Sequence, residues 1–286
     1  MARILDYHCS YDNASALGQW AEHNPKLRFP QAYEQRELMA ELAQTIRRQE
    51  GTAYCLLPFC HTLEAEAMGA HILLGDGLTG PRARDYCCGS LQEVTERCLD
   101  FSSPRLQETL LACRLLKERG ESLLFQLSGP LTILNSLLPA ELLYRALRKE
   151  PEQLLALCRR IGEELLPLAK AAEEAGADLL SYADPMAAVS LIGPKGAELL
   201  TKGFTLDFLK QLDRELKKET LVLLCPKTAF ALLGTELAQW QEHPLEQAMH
   251  YGEAALHLRG KLRFGGQSCV KRTDYQTKEF KELILT

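Results

Sequence analysis

Cys225 lies where polar side chains can do chemistry in α/β proteins. It follows Thr220 and the apolar run 221–224, which predict a strand buried on both faces, and Pro226 ends that strand. Catalytic groups of open α/β sheets and of (β/α) barrels lie at this C-terminal end of the strands. A thiol there could act as a nucleophile or metal ligand. The alternative is a small buried hydrophobic residue, as free cysteines often are.

A second group of polar side chains follows the predicted strand 52–58. Cys60 and His61 come directly before Thr62, a predicted helix N-cap, and Glu64 lies in the first turn of that helix. In a barrel this connection lies on the functional face, so His61 and Glu64 are candidate catalytic residues. A carboxylate in a first helical turn also interacts favourably with the helix dipole, which would explain Glu64 without any chemistry.

Two further predicted strands end in residues that could contact a ligand. The strand 177–183 is followed by Asp184, a candidate general base or hydrogen-bond acceptor. The strand 122–127 runs into a turn at Gly129, where a ligand could approach the backbone because glycine has no Cβ. An Asp-Pro turn and an ordinary tight turn are the simple alternatives.

Helical segments alternate with these strands along the chain. Apolar residues recur at helical spacing in 30–50 and 152–175, residues 244–259 are also predicted to be helical, and the tail 270–286 predicts a final strand or edge. With no two-residue hairpin signal, this alternation predicts parallel strands and right-handed crossovers. We expect one domain over 1–286, with residues 1–50 as a helical N-terminal cover.

The composition argues against several classes of function. The chain has 286 residues, of which 46% are hydrophobic and 25% charged, with a formal net charge of −5 and no basic block. Nucleic acid and membranes are therefore not expected as partners. Because the sequence has neither a long apolar run nor a signal-peptide core, we expect a cytoplasmic protein. Its ten cysteines, without a CxxC pair, then indicate free thiols, packing residues or metal ligands rather than disulfides.

Four segments together resemble the uroporphyrinogen decarboxylase superfamily, and more closely its corrinoid-dependent methyltransferase branch. They are 57–70, LPFCHTLEAEAMGA; 128–133, SGPLTI; 175–185, AGADLLSYADP; and 223–228, LLCPKT, with the later 265–269, GGQSC. The resemblance implies an α/β fold of the (β/α)8 TIM-barrel type. About six strands are recognisable against the eight of a closed barrel, so either the barrel is abbreviated or strands in the first fifty residues or near Trp240 complete it.

The resemblance also implies a chemistry. Members of the methyltransferase branch hold zinc in the barrel mouth and pass a methyl group between a corrinoid protein and a small acceptor such as a thiol. Their His-x-Cys pair and distant cysteine imply Cys225 and Cys269 as zinc ligands, but the histidine position is Leu223, which cannot bind metal. Two thiolates need a third ligand. The residues that could supply it are His61, Glu64, Cys60 and Asp184.

The remaining implied contacts concern the methylcobalamin cofactor and the partners. The residues expected to contact the corrinoid are Gly129, Pro130 and Tyr182. The expected partners are a corrinoid protein that carries the methylcobalamin and a small-molecule methyl acceptor. The oligomeric state is open, a homodimer included.

Two other functions stay open, a corrinoid- or tetrapyrrole-binding protein without turnover and a decarboxylase-like lyase. The decarboxylase branch carries an Arg-Gln-Ala-Gly-Arg motif for substrate carboxylates, and this sequence has none. Its aspartate, which can accept hydrogen bonds from four pyrrole N–H groups, falls at His61, whose neutral imidazole has one accepting lone pair. These residues favour the methyltransferase.

Overall fold

A parallel five-stranded sheet forms the centre of the protein. The computed structural model describes residues 4–9 and 24–286. The strands within these residues are β1 Cys55–Leu57, β2 Ile72–Leu73, β3 Arg82–Ala83, β4 Leu123–Ser128, β5 Leu179–Ala183, β6 Leu221–Leu224, β7 Ala238–His250, β8 Phe264–Gly265 and β9 Gln276–Leu285. Strands β1, β4, β5, β6 and β8 pair in this order, and all are parallel. The predicted α/β architecture is confirmed.

Strands β4, β5 and β6 are buried along their whole length. Both faces are covered, which explains why their sequences are nearly continuous apolar runs rather than alternating ones. Strand β4 also contains two polar residues, Gln126 and Ser128, which are as buried as the apolar ones, each being 1% exposed. Buried polar side chains need hydrogen-bond partners, and both side chains contact His61, which follows β1.

Helices cover the sheet and occupy most of the chain between its strands. They are α1 Arg36–Glu50, α2 Leu63–Ala67, α3 Leu91–Thr95, α4 Pro104–Glu118, α5 Pro130–Leu137, α6 Ala140–Lys149, α7 Pro151–Glu174, α8 Val189–Leu200, α9 Leu206–Glu215, α10 Pro226–Gly234 and α11 Tyr251–Leu258. The longest, α7, confirms the predicted helix 152–175, and its buried leucine stripe packs in the main core. None of the helices in 24–286 has the length and apolarity to cross a membrane.

The two edges of the sheet approach each other beyond their strands. The Tyr54 hydroxyl, just before β1, donates a hydrogen bond to the carbonyl of Val270, after β8, at 2.8 Å. The Tyr54 ring also lies so close to Gly252 that a Cβ there would be 2.8 Å from it. The sheet is therefore strongly curved, although β1 and β8 do not pair with each other.

The segment after β6 differs from the helical pattern that the sequence predicts. Strand β7 extends to His250 and pairs antiparallel with β9, and helix α11 begins at Tyr251. The predicted helix 244–259 is therefore wrong for 244–250 and confirmed for most of the remainder. Pairing with β9, which buries Phe280 and Leu283, overrides the local helical spacing. The final strand predicted in the tail is confirmed.

The predicted N-terminal cover is described only in part. Residues 4–9 contain neither helix nor strand, whereas α1 ends the cover as expected and is capped by Gly51 in the left-handed conformation, with φ of 64°. Residues 1–3 and 10–23 of the predicted cover lie outside the described residues.

Candidate functional site

A cavity of about 840 Å³ opens at the C-terminal ends of the strands. Segments that follow β1, β4, β5 and β8 contribute to its wall, together with residues of the β2–β3 hairpin. The lining residues include Cys60, His61, Gly80, Thr132 and Lys271. Pockets of this size hold small molecules, and in barrels this end of the strands carries the active site.

His61, a predicted catalytic residue, lines this cavity in its neutral form. Its Nδ1 lies 3.4 Å from the Gln126 amide nitrogen and 3.3 Å from the Ser128 hydroxyl. Because the amide N–H can only donate, Nδ1 accepts and the ring proton is on Nε2. Burial, assisted by the positive charge of Lys271, lowers the pKa of His61 to about 3.

Glu64, also a predicted catalytic residue, lies behind the cavity wall. Its side chain is fully buried, and Oε1 accepts a hydrogen bond from the backbone N–H of Ser128 at 2.7 Å. Within the described chain, Oε2 accepts none. Burial raises the pKa of this carboxyl group. Glu64 therefore holds the end of β4, next to the hydroxyl that contacts His61.

Asp184, the third predicted catalytic residue, caps the N-terminus of α5. Its carboxylate accepts hydrogen bonds from the backbone N–H groups of Leu131 (3.1 Å) and Thr132 (2.8 Å) and from the Thr132 hydroxyl (2.6 Å). The carboxyl is 6% exposed, and burial raises its pKa to about 6. Asp184 acts on the cavity through Thr132, which lines the wall.

The residues expected at the corrinoid lie close to Asp184 rather than on the cavity wall. A Cβ on Gly129 would be 2.6 Å from the Asp184 carboxylate, so the glycine makes room for this side chain. Pro130 is buried in the first turn of α5. The Tyr182 ring is buried 5.1 Å from the ring of Phe208. Their role at a corrinoid stays a prediction.

The two cysteines implied as zinc ligands lie at neighbouring strand ends. Cys225 precedes α10, the backbone N–H of Lys227 donates to its sulfur, and burial raises its pKa to about 11. Burial also raises the pKa of Cys269, which interacts electrostatically with Cys225. Cys9 lies against Cys269, and both line a second cavity of about 260 Å³ with Lys271. No sequence motif indicated Cys9.

The donor set does not fit the zinc site that the resemblance implies. Across residues 4–9 and 24–286, no three His, Cys, Asp or Glu side chains are arranged to hold a metal ion. Leu223, at the histidine position, packs in a buried cluster with Tyr251 and Phe280. Glu64 and Asp184 already bind backbone N–H groups. Catalytic zinc requires three protein ligands, and the two thiols fall short.

A buried arginine beside His61 was not indicated by the sequence. Arg105 of α4 is 6% exposed. Its guanidinium donates to the Thr62 hydroxyl at 3.0 Å, to the Cys60 sulfur at 3.4 Å and to the Glu66 carboxylate. Thr62 does precede α2 as predicted, but its hydroxyl makes no capping bond and serves Arg105 instead. In sequence, Arg105 is one charge among many on a helix, so nothing marks it as buried.

Comparisons with known proteins agree with the architecture and with the resemblance. The family model for uroporphyrinogen decarboxylase (URO-D) matches residues 15–241. The methylcobamide:CoM methyltransferase MtaA of Methanosarcina barkeri (strain Fusaro / DSM 804) is 26% identical over 204 residues, which cover 70% of this chain and 59% of the relative. The methylcobamide:CoM methyltransferase MtbA of Methanosarcina mazei is 26% identical over 211 residues, 71% of this chain and 61% of the relative.

A solved structure shows the same fold. A methyltransferase from Methanosarcina mazei matches with a TM-score of 0.62 at 22% identity, over 76% of this chain and 66% of that chain. This chain spans about three fifths of the length of the two curated relatives. The fold is thus of the TIM-barrel type, with five paired parallel strands in the described residues. With most of its length matched by the family model, the chain belongs to the uroporphyrinogen decarboxylase family.

Proposed function

We propose that this protein is a methyltransferase that moves a methyl group between a corrinoid protein and a small thiol acceptor. The observation that carries the proposal is the cavity of about 840 Å³ at the strand ends, where His61 and Lys271 line the wall. The similarity of the chain to two methylcobamide:CoM methyltransferases supports the same class of reaction. The cavity is large enough for a small acceptor, and its mouth is where a corrinoid carried by a partner would present the methyl group.

The three predicted catalytic residues would serve this reaction in different ways. Because its pKa is lowered to about 3, His61 is a neutral imidazole and a weak base. It faces the cavity and would hydrogen-bond the acceptor rather than remove its proton. Glu64 and Asp184 would position the wall, the first through Ser128 and the second through Thr132. The methyl transfer itself is a displacement at carbon, and the reactivity of the methyl donor comes from its corrinoid.

Zinc assistance is the part of the resemblance that the contacts do not support. A zinc ion bound by Cys225 and Cys269 would stabilise the acceptor as a thiolate. The described residues do not complete such a site. Gly129, Pro130 and Tyr182 would affect a bound corrinoid through the packing of α5 and β5.

Methyl transfer from free methylcobalamin to a panel of small thiols tests the proposal. We expect loss of the methylcobalamin absorbance in proportion to protein, with the S-methyl product found by mass spectrometry. His61→Ala should lower kcat/KM by roughly tenfold or more, because it removes a hydrogen bond in a buried site. His257→Ala, on the exposed side of α11, is the matched control and should change nothing.

Three results would contradict the proposal. A shift of the methylcobalamin spectrum without any methylated product would indicate a corrinoid-binding protein. Formation of coproporphyrinogen from uroporphyrinogen would indicate a lyase. Equal loss of rate in His61→Ala and His257→Ala would remove His61 from the site.

A further inference from the structure

Two adjacent thiols lie apart from the strand ends described above. Cys87 and Cys88 follow Tyr86, which lines the large cavity, and both pack against the main core. Cys88 is 3% exposed, whereas Cys87 is half-buried. A small ion or molecule can therefore approach the pair from the side of Cys87.

The spacing of the two sulfur atoms suits a bridging metal ion better than a disulfide. The sulfurs lie 3.9 Å apart, and the backbone N–H of Cys88 is fixed by a bond of 3.0 Å to the carbonyl of Leu137 in α5. A disulfide needs Cα atoms roughly 4.4 Å or more apart, whereas those of adjacent residues are about 3.8 Å apart. Two metal–sulfur bonds of about 2.3 Å span the observed separation at an angle of about 116°. This angle is close to that of a three-coordinate ion.

A guanidinium group lies against this pair. The Nε of Arg97 donates to the sulfur of Cys88 at 3.0 Å, and its other nitrogens donate to the carbonyls of Cys87 and Met68, each at 3.3 Å. These partners are neutral. Glu93 attracts Arg97 electrostatically, but its carboxylate is already bonded to the two residues before α3. A negative charge on the two sulfurs would therefore be stabilised by the adjacent guanidinium.

The charge of Arg97 favours a monovalent ion at this position. One monovalent ion and two thiolates form a complex with one negative charge, which the guanidinium neutralises. A divalent ion and two thiolates form a neutral complex, which gains little from Arg97. Among monovalent ions, Cu(I) prefers soft thiolate ligands, whereas zinc needs at least three protein ligands.

We propose that Cys87 and Cys88 form a binding site for a soft monovalent ion, Cu(I), next to Arg97. Two sulfur–copper bonds form as the two thiol protons pass to water, and the copper keeps its oxidation state. Arg97 stabilises the resulting anion from the side of Cys88. The third position of the ion is left for a small-molecule ligand such as a free thiol.

Protection of the two thiols from iodoacetamide tests the site. Trypsin cleaves after Arg84 and Arg97, so the peptide 85–97 contains both cysteines and no other. The wild-type protein is kept under anaerobic conditions at a free Cu(I) concentration set by a chelator buffer, so that other thiols do not compete for the ion. We expect alkylation of this peptide to slow by roughly tenfold or more, because metal-bound sulfur is a poorer nucleophile than the free thiolate. Removal of the ion with excess chelator should restore the rate.

Cys98 is the matched control in the same digest. Its sulfur lies 3.5 Å from the guanidinium of Arg160, and its neighbours in sequence carry no thiol. Its alkylation should not change with Cu(I). Arg97→Met should weaken the protection by Cu(I) roughly tenfold, Arg97→Lys should weaken it less because the charge is kept, and Arg160→Met should change nothing. Zn(II) at the same buffered concentration should not protect the peptide.

Three results would overturn the Cu(I) site. The first is unchanged alkylation of peptide 85–97 in the wild-type protein with Cu(I), a comparison that needs no variant to fold. The second is equal protection by Zn(II) and Cu(I), and the third is recovery of the peptide from anaerobic protein as an internal disulfide. None of these measurements uses a corrinoid, so Cu(I) binding and methyl transfer succeed or fail separately.

Discussion

Replacing Gly129 by alanine separates a structural role for this glycine from the ligand contact that the sequence predicts. Gly129 has φ of −79° and ψ of 165°, which alanine adopts without strain. The only obstacle is the side chain of Asp184, whose carboxylate would lie 2.6 Å from the new Cβ. Non-bonded atoms of this kind prefer about 3.5 Å or more, so Asp184 would have to move by about 1 Å.

That movement would break the cap of α5. The carboxylate accepts bonds of 2.6–3.1 Å from Leu131 and Thr132, and a shift of this size exceeds hydrogen-bond range for some of them. Overpacking costs about 1–3 kcal/mol, and weakened bonds to a buried carboxylate add roughly 1–3 kcal/mol. We expect Gly129→Ala to lower the free energy of unfolding by about 2–6 kcal/mol.

Urea unfolding followed by circular dichroism would measure this loss as a lower midpoint at unchanged slope. Gly80→Ala is the matched control. A Cβ there would meet only the Tyr33 hydroxyl, at 3.8 Å, and the change should stay within about 0.5 kcal/mol. If Gly129→Ala unfolds at the same urea concentration as Gly80→Ala but no longer binds methylcobalamin, the structural explanation is refuted and the ligand contact is supported.

Three further substitutions test the buried charges. Asp178 is 6% exposed and forms salt bridges with Lys117, at 2.8 Å, and with Arg259. Because the two cations are partly hydrated, Asp178→Ala should lower the free energy of unfolding in urea by only about 2 kcal/mol. An unchanged free energy of unfolding would refute this contribution. Burial raises the pKa of Glu64 above its ordinary 4.5, so the contribution of this carboxyl group to folding stability is present below pH 4.5 and is lost as the pH rises. The free energy of unfolding of the wild type minus that of Glu64→Gln should therefore fall with rising pH. A difference that does not change with pH would contradict this. The pKa of His61 is lowered from 6.5 to about 3, so its pH dependence has the opposite sign. The free energy of unfolding of the wild type minus that of His61→Gln should fall as the pH drops below 6.5. An increase in this difference would refute the neutral buried ring.

Local sequence patterns were sufficient for the elements whose environment is uniform. Strands β4 to β6 are buried on both faces, and helix α7 buries one stripe, so each leaves its own period in the sequence. Local patterns predicted a helix over 244–250, but these residues, whose apolar side chains recur at helical spacing, belong to strand β7. Its partner β9 lies some thirty residues later in the chain, and a pairing over that distance leaves no local signal.

The candidate site shows the same division. The rule that polar groups act at strand ends singled out His61, which lines the cavity, and its catalytic role stays a prediction. It did not distinguish His61 from Glu64 and Asp184, which also follow strands but direct their carboxylates to backbone N–H groups. Direction depends on which hydrogen-bond donors lie nearby, and those donors come from other segments.

By itself, the sequence determined the parallel α/β arrangement, the family and the set of polar groups at the strand ends, because burial on two faces and strand-to-helix turns constrain residue types locally. Only the tertiary structure decided that Cys60 meets Arg105, 45 residues away, and that Lys271 stands between two groups of thiols. It also decided that Leu223 and the two implied zinc cysteines do not complete a metal site within the described residues. Charges and thiols interact over a few ångströms of space whatever their separation along the chain, so their partners are set by the packing of whole elements.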